Sequence, residues 1–103
     1  MRVIRWTGEH LPRENELQVM MQQEGLQPSA WSNGPGDTYA VHSHTYEKVL
    51  YCARGSIRFI LPDFPVETRN VDLEPGDCLI LPAGVRHSAE VGSRGVTCLE
   101  ATR

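Results

Sequence analysis

The sequence predicts an all-β domain, an antiparallel sandwich or barrel with one short helix near its N-terminus. Three observations carry this reading. The chain has 103 residues, the length of a single domain. Beyond Gly25 it breaks into short β-rich runs punctuated by Gly, Pro, Asn and Asp. Before Gly25 lies one stretch with helical character, residues 13–24, RENELQVMMQQE, which contains neither Gly nor Pro.

Within that stretch Leu17, Met20 and Met21 form a partial apolar stripe at helical spacing, and Gly25 is a natural stop. The two methionines read as packing residues. Residues 1–30 are therefore an arm and a short helix laid on a β-barrel of residues 31–103. Asn33-Gly34-Pro35-Gly36 is a turn cluster. Strands are predicted at Tyr39–His44, Lys48–Ala53 and Ser56–Leu61, with a turn at Arg54-Gly55 between the last two. Val66–Leu73 is a more polar strand candidate. Glu74-Pro75-Gly76-Asp77 is a strong turn signal, followed by the apolar strand Cys78–Leu81. Pro82-Ala83-Gly84 turns again into Arg86–Val91. Gly92-Ser93-Arg94-Gly95 reads as a hairpin loop to the last strand, Val96–Ala101. Strands this short and this evenly spaced argue against a parallel α/β sheet.

Composition narrows the function classes. A net charge of -3 and scattered Lys and Arg provide no footprint for nucleic acid or an anionic membrane surface. No apolar run approaches a membrane span, and the N-terminus turns polar at once, unlike a signal peptide. A cytoplasmic protein is expected. Cys52, Cys78 and Cys98 are an odd number without CxxC spacing, so they read as reduced packing residues.

The histidines are the unusual feature. His42 and His44 stand two apart at the end of a predicted strand, and residues two apart share a face. Two imidazoles on one face can chelate one ion, with bonds near ~2.1 Å for zinc. His87 sits on a later strand, which an antiparallel barrel can return beside the first. Three such ligands leave coordination positions open for water, dioxygen or substrate. Neutral imidazoles also leave the ion its full charge, which favours an anionic or polarised ligand.

These residues lie in two linked motifs. The first is Gly, five residues, His-x-His, three or four residues, Glu, six residues, Gly, and Gly36, His42, His44 and Gly55 match it. The second is Gly, five residues, Pro, one residue, Gly, two residues, His, three residues, Asn, and Gly76, Pro82, Gly84 and His87 match it. With these eight positions the chain resembles the cupin superfamily over about residues 36 to 91. The resemblance implies a cupin-type antiparallel β-barrel (a jelly roll). It also implies that His42, His44 and His87 are ligands of a divalent metal at the barrel mouth.

Two positions depart from the pattern. Lys48 stands where cupins carry Glu, and Val91 where they carry Asn. Strand alternation puts Lys48 on the face of the histidines and Glu47 on the opposite one. Three readings of Lys48 follow. Its ammonium snorkels to water; or it binds a substrate carboxylate or acts as a base of lowered pKa; or a bulge turns Glu47 inward in its place. Tyr46 shares parity with the histidines and is a second candidate for contact with substrate. Cys52 shares it too, as a small core residue, whereas His10 reads as a surface residue and Trp31 as packing for the arm or a dimer contact.

The resemblance implies a metal-dependent enzyme of dioxygenase, isomerase or lyase type on a small polar or anionic substrate. The metal is Zn, Fe, Ni, Cu or Mn, since a His-only set suits each. The alternatives are a non-catalytic binding or sensing module and a metal-free barrel in which Lys48 replaces the ion. A homodimer is expected, with the apolar Val3, Ile4 and Trp6 segment as its arm.

Overall fold

The computed structural model describes residues 1–103. Seven strands form one antiparallel sheet: β1 (Arg2–Ile4), β2 (Ser29–Asn33), β3 (Thr38–His42), β4 (Lys48–Ile60), β5 (Asn70–Leu73), β6 (Cys78–Leu81) and β7 (His87–Thr102). One helix, α1 (Glu14–Gln23), and one 3-10 turn at Val66–Thr68 complete the chain. No helix is long and apolar enough to cross a membrane.

Two long strands are the spine. β4 and β7 pair from Lys48↔Thr102 to Ile60↔Ser88. The other edge of β4 takes β6 along Lys48–Tyr51 and β5 along Ile57–Ile60. The other edge of β7 takes β2 along Val96–Glu100 and β3 along His87–Glu90. The sheet thus curls around a core without closing, since β1 and β2 end its main path.

Both long strands differ from the expected pairs of hairpin arms. Arg54-Gly55 and Gly92–Gly95 do not reverse the chain; they lie inside β4 and β7. The ladder slips in register between Cys52 and Arg54 and again between Gly55 and Ile57, so the glycines serve bulges. Gly55 has φ 75°, and a Cβ there would lie 2.0 Å from the Gly95 carbonyl oxygen. The close approach of the two backbones needs a residue without a side chain. Val66–Leu73 is likewise divided, with strand only over Asn70–Leu73.

Alternation sorts β4 and β7 into two faces. Leu50, Cys52, Ile57, Phe59, Ala89, Val91, Val96 and Cys98 turn inward onto one core. Val49, Tyr51, Ala53, Leu99 and Ala101 turn outward onto a second cluster. Helix α1 covers that second face with Leu17 and Met21, both fully buried. Glu16 accepts the Arg13 backbone N–H at its start, and Gly25 at φ 81° ends it. The spine thus carries a buried apolar cluster on each face. Burying Leu17 and Met21 contributes about 1.5–3 kcal/mol each.

The N-terminal arm pairs within its own chain. Arg2, Val3 and Ile4 lie opposite Ile80, Leu79 and Cys78, which covers the β6 edge. The Asp77 carboxylate accepts the backbone N–H groups of Trp6 and Glu74, each at 3.0 Å, and Arg5 Nη1 at 3.0 Å. One buried side chain therefore ties the arm to the turn before β6.

Candidate functional site

The inner face opens into a cavity of about 220 Å³ lined by aromatic, apolar and charged side chains. His42, at the end of β3, lies directly opposite His87, at the start of β7. Their ring centroids are 4.3 Å apart. His44 lies just past β3, where its carbonyl accepts the Gly84 N–H at 2.8 Å. That bond holds the first motif against the second. The His44 ring stands 4.9 Å from His42 and 5.3 Å from His87. One nitrogen from each of the three rings lies within 4.8 Å of the others.

Hydrogen bonds fix the tautomers. His42 Nδ1 lies 2.7 Å from the Ala40 carbonyl and His87 Nδ1 lies 3.0 Å from that of Val85. A carbonyl only accepts, so each Nδ1 carries the proton and each Nε2 keeps a lone pair. His44 Nε2 is buried with no hydrogen-bond partner. Burial pushes the His87 imidazole below its ordinary pKa; the Val85 carbonyl opposes this, and His42 and His44 reinforce it. His44 is lowered first by desolvation, then by Lys48 and His42. In the neutral form His42 and His87 leave Nε2 free beside the unpartnered Nε2 of His44, a set that fits a divalent ion of borderline softness.

Lys48 lines the same cavity with its side chain only 14% exposed, and its Nζ lies 2.8 Å from Glu100 Oε2. Two of its three expected behaviours thus fail. It does not snorkel to bulk water, and Glu47 does not replace it, because Glu47 Oε1 takes Arg103 Nη2 at 2.8 Å. Nor is Lys48 a free cation standing in for an ion, since Glu100 balances its charge.

Tyr46 is placed outside the cavity. The chain leaves strand geometry after His42, so alternation no longer fixes its side. It stacks on the outer side of the His44 ring at 4.9 Å and is 39% exposed. Cys52 lies in the inner core opposite Cys98. His10 is exposed, 3.8 Å from Glu16.

Three cavity residues escaped the sequence reading. Trp31, expected to pack the arm or to form a dimer contact, faces the cavity from β2 and meets Tyr39 edge-on at 5.9 Å. Tyr39 lines the wall beside it. Glu100 was legible in principle: Val96 and Cys98 occupy the inward positions of the last strand, and Glu100 is next in that alternation.

The comparisons with known proteins agree with this geometry. The family model for the cupin domain matches residues 31–99. No curated protein matches the chain. Among solved structures, a chain from the crystal structures of the DMSP lyases RdDddP and RnDddQII is 27% identical, with a TM-score of 0.66. That match covers 76% of this chain and 38% of the other. The DMSP lyase DddQ from Ruegeria pomeroyi DSS-3 is 24% identical with a TM-score of 0.65, again over 76% and 38%. A cupin superfamily protein from Desulfitobacterium hafniense DCB-2 is 22% identical with a TM-score of 0.62, over 75% and 65%. This chain therefore spans under half the length of the lyase chains it matches. The match over residues 31–99, with both motifs inside the fold they imply, makes this chain a member of the cupin family.

Proposed function

We propose that this cupin is a metal-dependent enzyme of lyase or isomerase type acting on a small carboxylate-bearing substrate. The observation that carries this reading is the convergence of His42, His44 and His87, two of which, His42 and His87, line a cavity that also holds a charged pair. His42, His44 and His87 would hold the ion. A divalent ion supplies Lewis-acid polarisation of a substrate oxygen and a bound water of lowered pKa.

The protein's own groups do the rest. The Lys48–Glu100 pair is neutral as a unit, so the site's charge with an ion bound is positive, which draws an anion in. Leu50, Ile57, Phe59 and Ala89 form an apolar wall that strengthens each polar contact by excluding water. Lys48 orients the substrate carboxylate, and Glu100 beside it is a carboxylate able to take a proton. The likeness to a DMSP lyase chain at 27% identity supports lyase chemistry over dioxygen chemistry.

A second reading, a non-catalytic binding module, draws support from the mainly apolar lining of the cavity. One experiment separates the two. Protein loaded with each candidate metal is incubated with a panel of small carboxylic acids, and products are followed by mass spectrometry. Turnover that needs His42 and His87 is expected. Ligands that stabilise the protein yet return unchanged would favour the binding module instead.

A further inference from the structure

The cavity wall holds two buried polar atoms without a hydrogen-bond partner, one of them held only by a charge contact. Trp31 Nε1 and Glu100 Oε2 are both buried, and neither makes a hydrogen bond. The 2.8 Å approach of Lys48 Nζ to Glu100 Oε2 is a charge contact without hydrogen-bond alignment. An indole N–H left unpaired in a protein interior, or a carboxylate with unused lone pairs, is costly to keep. Folds retain such groups where something else completes them.

The two groups have opposite and fixed chemistry. An indole N–H only donates. An ionised carboxylate only accepts, and offers about four lone-pair sites, of which Lys48 takes part of one side. They stand near each other on the inner face: Trp31 lies opposite Cys98 and Glu100 opposite Ser29, one diagonal step apart across β2 and β7. Leu50, Ile57, Phe59 and Ala89 line the rest of the wall. The complement is a ligand with an oxygen acceptor for Trp31, a hydroxyl donor for Glu100, and a short apolar body.

We infer that Glu100 makes this cavity selective for small hydroxy acids with a branched or aliphatic tail, against the same acids lacking the hydroxyl, while Trp31 adds affinity for both. The inference rests on the small-carboxylate reading above and deepens it. Selection works through the absent group. When a deoxy acid enters, the hydroxyl's partner on Glu100 loses its water and gains nothing, which penalises binding. Trp31 donates to an oxygen that both acids carry, so it adds affinity and not discrimination.

The test is calorimetric binding of 2-hydroxy-4-methylpentanoate and 4-methylpentanoate to the protein as purified, with its metal content measured in parallel. The wild type is expected to bind the hydroxy acid at least about tenfold more tightly. Trp31→Phe, which keeps an aromatic face but loses the N–H together with the five-membered ring, should weaken both acids by a similar factor. Lys48→Met/Glu100→Leu removes both charges together and so keeps the fold in balance. It should bring the two acids to equal affinity. Equal binding by the wild type, a preference that survives in the double variant, or no binding of either acid would overturn the inference. Metal content separates its failure from that of the proposed function, because only the latter requires an ion lost on substituting His42 and His87.

Discussion

Lys48 Nζ stands 2.8 Å from Glu100 Oε2, joining the position where cupins carry a glutamate to a glutamate on the adjacent strand. The two residues lie one diagonal step apart across the β4–β7 ladder. Neither side chain is more than 28% exposed, so each depends on the other for its charge balance. Lys48→Met should destabilise the protein by about 1–3 kcal/mol, below the range for a fully buried pair. Lys48→Met/Glu100→Leu should recover most of that loss. Urea unfolding of the wild type, Lys48→Met, Glu100→Leu and the double variant measures it, and additive losses in the double variant would show that the pair is not coupled.

Metal binding is the next expectation. The wild type should carry close to one divalent ion per chain, and at a free metal concentration of one hundred times Kd it should gain about 2.7 kcal/mol. His42→Ala and His87→Ala should each abolish that gain. Elemental analysis with thermal unfolding in graded metal tests this, and full occupancy in the His87→Ala protein would remove the centre.

The pH dependence has a definite sign. Burial lowers the His44 and His87 values in the fold below about 6.5, the value the unfolded chain retains. Below pH ~6.5 the unfolded state therefore binds more protons. Metal-free protein should hold its stability above that pH and lose it progressively as pH falls. The carboxylates lowered by arginine partners, Asp63 by Arg86 and Asp72 by Arg58, release their contributions only in more acid solution. Urea midpoints between pH 7.5 and 5 should fall, and His87→Gln should flatten the slope.

Asp77 anchors the arm through three acceptor contacts, those from Trp6 N, Glu74 N and Arg5 Nη1. Asp77→Ala should cost about 1–3 kcal/mol, because it leaves the part-buried Trp6 and Glu74 N–H groups without their acceptor. Hydrogen exchange should then show the Trp6 amide opening well before the spine unfolds. A Trp6 amide still protected at the global level would refute the anchoring role.

Gly55→Ala tests the bulge. A methyl group there meets the Gly95 carbonyl and must adopt φ 75°. Its cost should exceed about 2 kcal/mol, whereas Gly25→Ala meets no atom within 4 Å and should carry only the backbone penalty of about 1 kcal/mol. Comparable losses at the two sites would contradict the close approach of β4 and β7.

The histidine cluster was legible because its three residues sit at fixed spacings, whereas the direct register of His42 and His87 appears only in the fold. Helix α1 and strand β6 were legible from local pattern alone. Arg54-Gly55 and Gly92–Gly95 misled because glycine marks a hairpin and a bulge with the same letter; only the partner strand distinguishes them. Tyr46 misled because alternation was extended past the last strand residue. Glu100 stayed hidden for a different reason. Its meaning depends on Lys48, fifty-two positions away in the chain (100 − 48), and no local window contains both.

The long ladder between β4 and β7 also governs how the chain must assemble. Its rungs join residues as distant as Lys48 and Thr102, so the spine appears only after long loops have closed and most of the entropic cost has been met. Helix α1 and the hairpin-like contacts of β5 can form early but have little to rest on until then. Folding of this small domain should be limited by a late zippering whose frame is set by two off-beat glycines, and a misaligned start must unzip before it can be corrected.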